Sequence, residues 1–185
     1  MQRLFLLLLA VSLGVSIFVC SQQGIHQTIS QSDIAMVTQK SIEPFYYVAL
    51  FHQGPYENEE LVRDRFIEDL ARQSIAVGDT LLFFYYNDPT TVPVNKLQWA
   101  IAAPIPDSIQ VEFPLMVSKW NYREILSYKL SKRAPDTKRI GRIFEKYLVQ
   151  KGLRSDSSVS EIIYSNFSNI SDNREFWHPL TSESQ

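Results

Sequence analysis

Leu82-Phe83-Phe84-Tyr85-Tyr86-Asn87 is an aromatic run that halts at Asn87-Asp88-Pro89, and a run of the same shape, Glu161-Ile162-Ile163-Tyr164-Ser165-Asn166, returns later in the chain. Short runs rich in β-branched and aromatic residues and bounded by turn-formers read as strands. The surroundings of the two runs also correspond. Ahead of the first stands an expected strand, Phe45 to His52, then the turn Gln53-Gly54-Pro55-Tyr56 and a helix. Asn58 is placed to cap that helix, with Glu59 and Glu60 in its first turn, where the dipole favours carboxylates. Leu61, Val62, Phe66, Ile67 and Leu70 form its apolar stripe, and Arg63, Asp64, Glu68, Asp69 and Arg72 are expected to face away. A strand from Leu97 to Ala103 follows the first run.

The second half repeats this order. Glu124 to Leu130 alternates like a strand, and Pro135 and Asp136 are placed to open a helix. Ile140, Ile143, Phe144, Tyr147 and Leu148 recur at helical spacing, and Gly152 is a fitting stop. A strand over Val159 to Ser165 and a last one over Phe176 to Leu180 complete the set, with Ile109 to Phe113 expected as a short connecting strand. The pattern predicts an α+β domain, a pseudo-symmetric duplication of βαββ units whose sheets meet and whose helices lie on one outer side.

Composition limits the function. The 185 residues are 45% hydrophobic and 21% charged, which excludes a wholly disordered chain. A net charge of −2 argues against a general nucleic-acid binder, which needs a basic excess to neutralise phosphates. One cysteine excludes an internal disulfide framework and a thiolate zinc cluster. The basic cluster Lys129, Lys132, Arg133, Lys138, Arg139 and Arg142 fits a solvated helix face or contact with anionic lipid.

Arg3 precedes an uncharged apolar run from Leu4 to Cys20, and no Lys or Arg follows between Ser21 and Gln39. This is the pattern of an export signal or a membrane anchor, with the remainder translocated. Three fates fit: cleavage near Cys20, lipidation of Cys20 as in a bacterial lipoprotein, or an uncleaved anchor. The expected organisation is a signal or anchor over 1–21, a polar tether over 22–41, a folded domain over 42–180 and a frayed tail over 181–185. The domain would face the cell envelope in a bacterium or the secretory pathway in a eukaryote. There the sequons Asn166-Phe167-Ser168 and Asn169-Ile170-Ser171 would be glycosylation acceptors.

Val48-Ala49-Leu50-Phe51-His52-Gln53-Gly54-Pro55-Tyr56 resembles the strand, H-x-G-P-Y, helix signature of GyrI-like domains, the effector-binding domains of AraC- and MerR-class regulators. Tyr85-Tyr86-Asn87-Asp88-Pro89 resembles the Y-x-D-P segment of that family, and Glu161-Ile162-Ile163-Tyr164 its E-x-Y strand. The similarity spans roughly Phe45 to Leu180. It implies a two-lobed, SOUL-like fold with a central cleft that takes small molecules, often lipophilic cations held by aromatics and a carboxylate. Glu161 stands where that carboxylate is expected. No helix-turn-helix accompanies the domain, so a transcription factor is not expected. The signature is also kept in one half only: Lys129 to Pro135 stands where the other half has His52 to Pro55.

The residues themselves give Glu161 two readings. If its face of the strand is buried, an unpaired carboxylate there costs several kcal/mol and titrates high, and a cationic ligand would relieve the penalty. Otherwise it is a wet residue at a strand start. Tyr47, Phe84, Tyr86, Trp99, Trp120, Tyr164 and Trp177 are each either ordinary core or pocket wall. Tyr86, Trp99, Tyr164 and Trp177 are singled out as ligand-binding with Glu161, because their strands would flank the cleft. His52 and His178 match no metal spacing and no nucleophile–base pair, and no cofactor is expected. The expected function is binding of a small hydrophobic or cationic ligand, without nucleic acid, by an exported or membrane-attached domain. The alternatives are a small hydrolase using Glu161 and a protein-interaction module with a vestigial pocket.

Overall fold

The computed structural model describes residues 28–130, 137–155, 161–166 and 174–181, with 161–166 described by backbone only. The expectations for the 1–21 segment and Cys20, for Pro135 and Asp136, and for the sequons lie outside the described residues or their side chains. In the unit from Gln31 onward, the elements are α1 (Gln31–Ala35), β1 (Val37–Ser41), β2 (Phe45–Gln53), α2 (Glu59–Arg72), β3 (Thr80–Tyr85) and β4 (Gln98–Ile105). They continue with β5 (Leu115–Trp120), β6 (Glu124–Leu130), α3 (Thr137–Lys151), β7 (Glu161–Asn166) and β8 (Arg174–Pro179).

The described strands form one antiparallel sheet in the order β1-β6-β8-β7-β3-β4-β2-β5. The duplication is visible in that order. From the centre outward one half runs β3, β4, β2 and the other β7, β8, β6, so corresponding strands hold corresponding places. The two similar runs of the sequence are the central neighbours, with Leu82 opposite Tyr164. The outermost strands are exchanged: β1 precedes the first set yet pairs with β6 of the second, while β5 precedes the second set and pairs with β2 of the first.

Alternation along the strands sorts side chains onto two faces. Ladder partners Phe83 and Ile101, and beyond them Phe176, lie on the face that carries the helices. There α2 buries Val62, Phe66 and Leu70, and α3 buries Ile140, Ile143, Phe144 and Leu148. Phe144 meets Phe176 with ring centroids 5.8 Å apart. Among the described residues, no helix packs on the opposite face. Its buried cluster is Ala49, Leu82, Phe84, Ala100, Ala102, Trp120, Ile125 and Trp177.

Several local expectations change. The last part of the segment read as a tether is built into the fold: α1 buries Ile34, Asp33 pairs with Arg139 at 3.0 Å, and β1 extends the sheet. Ile109 to Phe113 is not a strand; the strand is Leu115–Trp120, and Phe113 is almost fully exposed. Asn58 precedes α2 but makes no side-chain capping bond, because a 3₁₀ turn over Tyr56–Asn58 leads into the helix. Leu61 is mostly exposed, and Asp69 is buried rather than outward, held by Arg72 at 2.6 Å. Gly152 does end α3, with a left-handed φ of 65° and the Leu153 N–H donating to the Leu148 carbonyl at 3.0 Å.

Phe66 is fully buried between α2 and the sheet. Phe66→Ala should therefore cost about 3–5 kcal/mol through lost burial and a residual cavity. The change is read as a lower urea midpoint at unchanged slope.

Candidate functional site

The helix-free face carries a continuous aromatic floor. Phe51 stacks on Tyr86 at 6.1 Å, Tyr86 on Phe84 at 6.5 Å, and Phe84 on Tyr47 at 5.2 Å. Phe84 also meets Trp120 at 6.3 Å, and Trp120 meets Trp177 at 6.2 Å. Register puts Tyr47, Phe84, Trp120 and Trp177 on one face, and the Trp120–Trp177 contact, between strands five places apart in the sheet, requires the sheet to curl around that face. At the Phe51 end the floor opens into a pocket of about 440 Å³ lined by Phe51, His52, Gln53, Tyr86 and Gln98. Burial, and then proximity to the Tyr47 phenol, push the Tyr86 hydroxyl well above its ordinary pKa, so it stays protonated and able to donate.

A carboxylate stands at the other end. Glu175 Oε2 accepts from Trp177 Nε1 at 3.0 Å and from Ser127 Oγ at 2.9 Å, and Lys40 Nζ bridges both oxygens at 2.8 and 2.7 Å. Burial by itself would raise the Glu175 pKa. The hydrogen bonds from Lys40, Trp177 and Ser127, with the Lys40 charge, outweigh it and hold the group below its ordinary value. The face thus presents flat π surfaces beside an ionised carboxylate, a combination suited to apolar or cationic guests.

Of the residues singled out from sequence, Tyr86 lines the pocket and Trp177 touches the carboxylate. Trp99 is not with them. Its parity on β4 puts it opposite Tyr85 and His52, on the helix-bearing face, where it is fully buried against His52 and Tyr56 as core. The side chains of Glu161 and Tyr164 lie outside those described; the backbone register sets Glu161 opposite Tyr85 and Tyr164 opposite Leu82. Sequence reasoning missed Glu175, Lys40 and Ser127. A strand begun at Arg174 would have flagged Glu175, two residues from Trp177 and so on its face.

The signature residues are structural in this chain. Gly54 has φ of +144°, and a Cβ there would approach His52 Nε2 to 3.1 Å, so the turn accepts glycine only. The Tyr56 hydroxyl donates to the Asn87 carbonyl at 2.6 Å, and the Asn87 side chain accepts from the Gln98 N–H at 2.6 Å. These bonds tie the turn after β2 to the stop after β3, and they fix the mouth of the pocket.

His178 packs on Phe144 at 5.5 Å, and its Nε2 is buried with no hydrogen-bond partner among the described residues. Burial holds its pKa below the ordinary 6.5, so it is neutral in the fold. The unfolded chain takes up a proton as pH falls through about 6.5, whereas the folded chain resists until lower pH, so stability is lost on acidification through that window. Replacing His178 by Leu should flatten the drop in Tm between about pH 7 and pH 5, measured by calorimetry. An unchanged slope would show that other groups set it.

No protein-family model and no curated protein matches the sequence. Solved structures do match in fold. The chain is similar to the EcmrR C-terminal domain, at 10% identity and a TM-score of 0.61, over 79% of this chain and 97% of that one. It is similar to an uncharacterized conserved protein from Listeria innocua, at 9% identity and a TM-score of 0.56, over 78% and 92% of the two chains. A hydrolase from Listeria innocua matches at 9% identity and a TM-score of 0.54, over 78% and 91%. The fold is that of the GyrI-like domains.

Proposed function

We propose that this GyrI-like fold binds a small hydrophobic or cationic molecule in a cleft on the aromatic face of its sheet. The observation that carries the reading is the unbroken ring floor from the open pocket at Phe51 and Tyr86 to the ionised Glu175. Rings supply area and cation–π attraction, and a partly desolvated carboxylate supplies charge. The Gln53 and Gln98 side chains at the mouth give the site polar edges that can orient a guest. The ligand carboxylate of this reading is Glu175.

Isothermal titration with tetraphenylphosphonium as probe should show saturable binding. Glu175→Gln, which keeps shape and loses charge, should weaken it roughly tenfold, as expected for loss of a charged partner. Tyr86→Ala should weaken both this cation and its uncharged counterpart triphenylphosphine oxide. Affinities unchanged in both variants would place any binding elsewhere and overturn the reading.

We also propose that the apolar run from Leu4 to Cys20 attaches or exports the domain, a reading supported by its charge pattern alone. The full chain should sediment with membranes through a high-salt wash, and deletion of 1–21 should release it. A soluble full chain whose measured mass retains the N-terminus would refute attachment and cleavage together.

A further inference from the structure

Glu175 already holds a cation. Lys40 Nζ lies 2.8 Å from Oε1 and 2.7 Å from Oε2, while Ser127 and Trp177 donate to Oε2. Lys40 donates to both oxygens and neutralises the carboxylate, so a guest cation meets its full charge only once Lys40 has left. The donors differ in what holds them. Ser127 and Trp177 are buried on β6 and β8, strands with neighbours on both sides. Lys40 projects from β1, which among the described strands is an edge strand paired with β6 alone, and its side chain is 40% exposed. Its flexible stem can carry the ammonium into water at little desolvation cost, which the other two donors cannot match.

We infer that Lys40 is a tethered internal counter-ion that competes with cationic guests for Glu175, so that the face admits uncharged guests directly and cations only when Lys40 swings out. The inference rests on the binding reading above and refines its ligand class. Selectivity then depends on an exchange of one ammonium for another cation and not on the carboxylate alone. The apparent affinity for a cation is the intrinsic one reduced by the fraction of molecules with Lys40 released. Because the pair is partly exposed, that fraction is small without being vanishing.

The test is titration of tetraphenylphosphonium and triphenylphosphine oxide into the wild type, Lys40→Met, Lys40→Gln and Lys40→Met combined with Glu175→Gln. The expected result is a gain of roughly fivefold to tenfold for the cation in both single variants, with the phosphine oxide unmoved. The gain should vanish in the double variant. Cation binding detected only after Lys40 is replaced would support the same conclusion. If the wild type binds the cation and the Lys40 variants bind it equally or more weakly, Lys40 is only a structural partner of β1, and the inference falls while the binding reading stands. A gain that survives Glu175→Gln would make the effect steric and would also overturn it. Binding of the phosphine oxide with no cation binding by any form would overturn the inference alone, and binding of neither probe by any form would overturn both together.

Discussion

The antiparallel ladder between β3 and β7 joins the two halves, and its register settles where everything else points. It runs from Thr80 opposite Asn166 to Tyr85 opposite Glu161, in the middle of the sheet. Side chains repeat every second residue along a strand, so one register fixes the parity of both neighbours, then of theirs. Phe83 goes to the helices and Phe84 to the opposite face for this reason. A slip by one residue would send Phe84 under α2 and leave Phe83 on the aromatic floor. The strong burial of Leu81 to Phe84 makes such a slip costly.

Two sets of residues that look functional by sequence do different jobs. His52, Gly54 and Tyr56 with Asn87 build a joint at the end of β2 and β3. The aromatic floor and Glu175 lie on the far side of the sheet, on strands distant in sequence. The joint matters to the site because it holds Tyr86 and Gln98 at the pocket mouth.

Most of the architecture was legible in the chain, because helical and strand periods are local. The α3 stripe from Ile140 to Leu148, the Gly152 stop and the span Glu124–Leu130 needed only neighbouring residues to be read. The duplication was legible because its two copies sit side by side. β1 was not: Val37-Thr38-Gln39-Lys40-Ser41 has one buried apolar residue and looks like a polar tether. Its strand character comes from β6, some ninety positions on, where Thr38 and Lys40 find their partners. The aromatic face was legible in kind but not in detail. Aromatics and a carboxylate were expected, but the side of the sheet taken by Trp99 depends on register, which no single strand reveals. Glu161 was singled out by its resemblance to an E-x-Y strand, and Glu175 was passed over because the last strand was begun at Phe176, one residue past it.

The crossing of β1 and β5 into each other's half has a topological consequence. A chain carrying one set alone, a leading strand followed by βαββ, would leave the outer edge of its own β2 unpaired by any strand from another set. Two such chains, each lending its leading strand to the other, would reproduce the whole arrangement of pairings. The present polypeptide is in that sense a covalently joined, strand-exchanged pair, in which each half supplies the outermost strand of the other. A break in the connection between β4 and β5 would leave both fragments interlocked through their borrowed edges.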